Sequence, residues 1–163
     1  MKTILIVSVS ALSIAACGSS KPRGEEEEEH PKLHGHTGFE NTSWGMTSDA
    51  LEELYPKGTE AGDDILLVGD YRGRPARLLF ELKDDALVRI EIGIKTEFAS
   101  MEACGEEWAK LRSEIDGTLG FSNTDNLAAY WHSNSYDVTL SCDPDESGKA
   151  SMKANFAPRH EDD

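Results

Sequence analysis

Between residues 75 and 95 apolar and polar side chains take turns. Ala76, Leu78, Phe80 and Leu82 alternate with Arg77, Leu79, Glu81 and Lys83, and Val88, Ile90, Ile92 and Ile94 alternate with Arg89, Glu91 and Gly93. A period of two puts successive side chains on opposite sides of an extended chain, so both runs are predicted to be strands with one buried and one solvated face. Asp64 to Tyr71, a mostly apolar run broken by Gly69, is predicted as a strand before them. The links Arg72-Gly73-Arg74 and Asp84-Asp85-Ala86 are short enough for hairpins, which makes the pairing antiparallel. On the outer face, Arg77 and Arg89 are expected to form cross-strand charge pairs with Glu81 and Glu91.

From Thr96 the period lengthens. Phe98, Met101, Cys104, Trp108, Leu111, Ile115 and Leu119 recur at steps of three and four, which predicts a long amphipathic helix ending near Gly117 or Gly120. A shorter helix is signalled at SDALEELYP. Thr47 is a good N-cap, Asp49 suits the positive first turn, Met46 can staple onto Leu51, and Pro56 closes the helix. Leu127 to His132, Tyr136 to Cys142 and Lys149 to Phe156 read as three further strands, with turns at Asn134 and at Pro144 to Gly148. The expected fold class is therefore α+β, helices packed on an antiparallel sheet in the order α-β-β-β-α-β-β-β. The two halves repeat that order, which is compatible with a duplicated unit, although few residues match between them.

The first residues have a different pattern. Lys2 is followed by an apolar run from Ile4 to Leu12, relieved only by Ser8 and Ser10, and then by small residues. This reads as a secretory signal peptide over residues 1–16, because a membrane-spanning helix needs roughly 20 apolar residues. Ser13-Ile14-Ala15-Ala16-Cys17 resembles the bacterial lipobox. That resemblance implies cleavage before Cys17 and attachment of a diacylglycerol, usually with an N-acyl chain such as palmitate. Two or more acyl chains anchor a protein stably where one does not. Gly18, rather than Asp, follows the Cys, which in the enteric lipoproteins of this class goes with transfer to the outer membrane.

Residues 17–37 contain one Leu, no aromatic and no periodicity, so they are expected to form a disordered tether. At about 25 Å it would lift residues 38–158, the single folded domain, off the bilayer, with 159–163 as a charged tail. The run Glu25 to Glu29 lies beside His30, His34 and His36, and carboxylates with imidazoles can ligate divalent cations. Cation binding by this segment is the alternative to a plain spacer, although its spacing matches no closed zinc motif.

Composition narrows the partners. The 163 residues hold 31 Asp and Glu against 16 Lys and Arg, a formal charge of -15, the opposite of the basic excess that nucleic acid requires. No GxSxG, HExxH, GxGxxG or phosphate-loop motif occurs, so no cofactor is implied. His132, with Ser133, Ser135 and Asp137 nearby, can be drawn as a general base, but neighbours on a strand alternate faces and a hydrogen-bonded His accounts for it better. The acidic stretch Asp143 to Gly148 lacks the ligand order of a Ca²⁺ loop and reads as a hairpin turn. Trp44, Trp108 and Trp131 are expected in the core, and an exposed Tyr130 or Tyr136 would be the best partner-contact aromatic.

With Cys17 lipidated, Cys104 and Cys142 remain, both predicted to point toward one core. Export would place them in an oxidising compartment, where a disulfide closing about 39 residues contributes on the order of 4 kcal/mol in the chain-entropy model.

At WGMT…LEELYP, Trp44 to Pro56, the sequence resembles the small bacterial envelope lipoproteins of the BamE (SmpA/OmlA) family and the beta-lactamase inhibitor-like fold. In that class a Gly-Met-Thr turn opens a helix packed on an antiparallel sheet. Leu54-Tyr55-Pro56 stands where the family usually has Leu-Gly-x-Pro. Together these features lead to the expectation of a non-enzymatic lipoprotein, membrane-attached through its lipid and binding an unidentified protein or envelope component.

Overall fold

The computed structural model describes residues 35–159, apart from the side chains of Lys95 and Thr96. The expected signal peptide, Cys17, His30, His34, the Glu25 to Glu29 run and the last four residues lie outside the described residues.

Helix α1 spans Ser48–Leu54, and strands β1 (Thr59–Ala61), β2 (Asp64–Tyr71), β3 (Arg74–Lys83) and β4 (Ala86–Phe98) follow. Helix α2 spans Met101–Leu119 and leads into β5 (Asn123–Asp125), β6 (Ala128–His132), β7 (Tyr136–Pro144) and β8 (Ala150–Pro158). The observed order is α-β-β-β-β-α-β-β-β-β, one strand more per half than the sequence pattern predicts. The two additional strands, β1 and β5, are three residues long and exposed throughout, so neither has a buried face to produce an alternation.

All eight strands form one antiparallel sheet in the order β1-β2-β3-β4-β8-β7-β6-β5. Each half is a helix followed by a four-strand meander, and the last strands of the halves, β4 and β8, meet at the centre. The tight links Arg72-Gly73 and Asp84-Asp85 have positive φ at both residues (50° and 74°, 53° and 56°), the geometry of a two-residue hairpin that keeps the strand twist. The predicted start of the long helix is corrected: residues 96–98 extend β4, and α2 begins only after Ser100, whose hydroxyl accepts the N–H of Ala103. A register shift between Ile94 and Phe98 breaks the two-residue period there.

One face of the sheet is covered. Phe80, Ile90, Ile92, Leu140 and Met152 are completely buried under Leu51 of α1 and Cys104, Leu111 and Ile115 of α2. Burying each such side chain is worth roughly 1.5–3 kcal/mol, which makes this single cluster the main stabilising element. The three tryptophans are at most 6 % exposed, and each ring N–H is satisfied: Trp44 donates to the Ser135 carbonyl, Trp108 to that of Leu140, and Trp131 to Asp116 and the Gly120 carbonyl. Cys104 and Cys142, on α2 and β7, are joined by a disulfide with Cα atoms 6.2 Å apart.

The folded part begins before residue 38. His36 bridges to Ser43, and Thr37 is completely buried, its hydroxyl meeting that of Thr42. Residues 35–37, expected in the tether, are therefore part of the domain.

Candidate functional site

Among the described residues, no helix covers the opposite face of the sheet. Register aligns its outward side chains in rows across the strands. One row runs Leu66, Leu79, Glu91, Asn155, Thr139, Tyr130; the next runs Val68, Arg77, Gly93, Lys153, Ser141, Ala128. Val68 is 57 % exposed and Tyr130 38 %, large apolar surface for positions within a sheet. Tyr136, the other aromatic considered from sequence, instead packs inward against Gly38.

A charge network occupies the centre. Arg89 reaches Glu81 at 3.5 Å, Glu91 at 3.4 Å and the Asn155 side-chain oxygen at 2.9 Å, and Lys153 lies 3.7 Å from Glu91. The cross-strand pairing expected for Arg89 is present, whereas that expected for Arg77 is not. Register places Arg77 opposite Gly93, and among the described residues its guanidinium has no hydrogen-bond or ion-pair partner. Leu66, Leu79, Glu91 and Glu97 line, with Arg77 and Gly93, an open depression of about 560 Å³. Sequence reasoning missed this arrangement. Its one local signal was a glycine at an outward position between Ile92 and Ile94 in a strand of alternating apolar and polar residues.

A second, smaller cavity of about 310 Å³ lies at the seam of the two halves, bordered by Glu40, Tyr71, Arg72, Thr118, Leu119 and Tyr136. Its walls are tied together by structural hydrogen bonds. The Arg72 guanidinium donates to the Glu114 carbonyl at 3.1 Å and to the Thr118 hydroxyl at 3.2 Å, and Tyr55 donates to Glu40 at 2.8 Å. Partial burial, reinforced by that carboxylate, pushes the Tyr55 phenol above its ordinary range.

The other residues singled out from sequence are dispersed. His132 bonds Asp137, its register partner, at 2.9 Å and is largely exposed. Neither nearby serine is directed at the imidazole: the Ser133 hydroxyl donates to the Tyr136 carbonyl, and that of Ser135 to the His36 carbonyl. Both ring nitrogens of His36 are engaged locally, one accepting the Gly38 N–H at 2.9 Å and the other 2.6 Å from the Glu40 carbonyl oxygen. His36 would have to give up this turn to ligate a cation. In the Asp143 to Gly148 stretch, one carboxylate oxygen of Asp145 accepts from the Ser147 N–H, the Ser147 hydroxyl and the Lys149 N–H, closing a turn. These bonds, led by the Ser147 hydroxyl, hold the Asp145 carboxyl below its usual range. Among the described residues no three His, Cys, Asp or Glu side chains converge as a metal site, and no helix is long and apolar enough to cross a membrane.

In comparisons with known proteins the chain matches no family model, no curated protein and no solved structure.

Proposed function

We propose that this chain is a membrane-anchored envelope lipoprotein that binds a protein partner through the uncovered face of its sheet and performs no chemistry. The observation that carries the reading is that face: eight strands wide, with both helices of the described residues on the other side, and with exposed apolar side chains at Val68 and Tyr130. Binding along the sheet edges is disfavoured, because β1 and β5 are three-residue strands that offer little backbone for a partner strand to extend. The lipobox resemblance at Ser13 to Cys17 supports the anchor, and Gly18 supports an outer-membrane address. The matching helix-plus-meander halves support descent from a duplicated unit.

Mass spectrometry of the mature protein tests the anchor: Cys17 should be the first residue and should carry diacylglycerol and acyl mass. A Cys17→Ser variant should fractionate away from membranes. Affinity capture with the wild-type protein from detergent-solubilised membranes should recover one polypeptide in stoichiometric amount. An unmodified soluble product defeats the anchor, and capture of nothing specific defeats the binding role.

A further inference from the structure

Gly93 lies in β4, the longest of the described strands and central in the sheet, facing outward with β3 on one side and β8 on the other. Glycine weakens a strand interior, so its presence there calls for a reason. Backbone conformation is not that reason, since Gly93 is absent from the residues with positive φ. Crowding is not the reason either. A Cβ on Gly93 would find its nearest neighbour, the Arg77 carbonyl oxygen, 4.0 Å away, an ordinary contact. The missing side chain therefore leaves a notch that the fold itself does not require.

What surrounds the notch is specific. Arg77 and Lys153 occupy the same row on either side of Gly93, with backbones about 10 Å apart at the usual strand spacing. Residues 35–159 carry 23 Asp and Glu against 12 Lys and Arg. Around the depression on this face stand the cations Arg77, Arg89 and Lys153 and the carboxylates Glu81, Glu91 and Glu97. Glu81 and Glu91 are engaged by Arg89 and Lys153, and Glu97 by Lys149 at 2.8 Å, which leaves Arg77 as the cation with no carboxylate partner among the described residues. Leu66, Val68 and Leu79 form an apolar margin beside it.

We propose that the notch over Gly93 seats a carboxylate side chain from a protein partner, paired with Arg77 and flanked by Lys153, while apolar neighbours of that carboxylate pack on Leu66, Val68 and Leu79. This rests on reading the open face as the partner-binding face. Guanidinium and carboxylate match in a planar two-bond geometry, and an apolar surround that excludes water strengthens the pair. The depression is too open to enclose a free small anion, and the exposed apolar margin is suited to a macromolecular surface.

The test uses the full-length protein in the cells that produce it, with a benzoylphenylalanine photocrosslinker at Val68 and, separately, at Tyr130. The expected result at Val68 is a crosslink to one polypeptide, at a peptide containing Asp or Glu. Arg77→Ala should weaken binding of that polypeptide roughly ten- to a hundredfold, as for a central interface arginine. Gly93→Val should do so at least as strongly while leaving the melting temperature unchanged or raised, because it fills the notch with a better strand former. Arg77→Glu should abolish binding, and replacing the partner's carboxylate by Arg should restore it. The proposal is overturned if Val68 captures lipid or nothing, or if a captured polypeptide is indifferent to both Arg77→Ala and Gly93→Val. A polypeptide captured at Tyr130 in those circumstances leaves the open-face reading intact and removes only the carboxylate seat. Capture of no polypeptide at either position removes both.

Discussion

Gly38 lies flat against the ring of Tyr136: a Cβ built on the glycine would stand 2.2 Å from the ring. The contact joins the loop before α1 to the start of β7, and Gly38 also has φ of +80°. Gly38→Ala is expected to cost roughly 2–4 kcal/mol, combining the clash with the left-handed backbone. Equilibrium urea unfolding would show the midpoint falling. In a Tyr136→Ala background the same substitution should cost only about 1 kcal/mol, because the clash has gone and the backbone strain remains.

Arg74, at the start of β3, crosses to α2 and pairs with Glu107 and Glu114, each at 2.8 Å. Its side chain is 14 % exposed, whereas Lys149 and Glu97 form a pair that is 52 % and 76 % exposed. Arg74→Ala should lower stability by about 1–2 kcal/mol, and Lys149→Ala by clearly less, because its pair is exposed to solvent. Thermal unfolding of the two variants side by side would expose any failure of that ranking.

The same site predicts a pH dependence. The Arg74 hydrogen bond holds Glu114 below its ordinary value, while for Glu107 partial burial acts upward and is outweighed by Arg74 and Lys110. Depressed folded-state values mean that this stabilisation is complete above the unfolded carboxylate value of 4.5 and is lost as pH falls through the folded values. Arg74→Ala should therefore flatten the dependence of unfolding free energy on pH below about 5. An unchanged slope would show that other carboxylates control acid unfolding.

Trp131 donates to Asp116 at 2.9 Å, next to the Ser122 N–H at 3.0 Å and Arg112 at 3.3 Å. Burial raises the Asp116 pKa, but these donors outweigh it and the net displacement is downward. Trp131→Phe should raise that pKa and cost about 1–2 kcal/mol, with NMR titration reading the first effect and chemical denaturation the second.

Reduction of Cys104–Cys142 should lower stability on the order of 4 kcal/mol, because 38 residues of sequence separate the two ends of the loop it closes. Urea midpoints with and without dithiothreitol provide the measurement. A Cys104→Ser, Cys142→Ser variant should match the reduced protein and be insensitive to reductant.

Local pattern was enough to locate six of the strands and both helices, because each buries one side of a periodic segment. It could not reveal β1 or β5, whose residues bury nothing and are held only by pairing with β2 and β6. Thr37 was placed in the tether because its neighbours are polar, and only the loop folded back through Thr42 accounts for its burial. For the candidate site, Gly93, Arg77 and Lys153 are each visible along the chain. Their alignment depends on register between β3, β4 and β8, and β8 lies some sixty residues from β4 in sequence.

The central placement of β8 has a consequence for biogenesis. Among the described strands the one that joins the halves is made last, so a nascent chain lacking it leaves β4 and β7 each with an unpaired edge. Neither half can be sealed until β8 arrives, so a product that stops before it is two open-edged pieces rather than a smaller version of the same sheet.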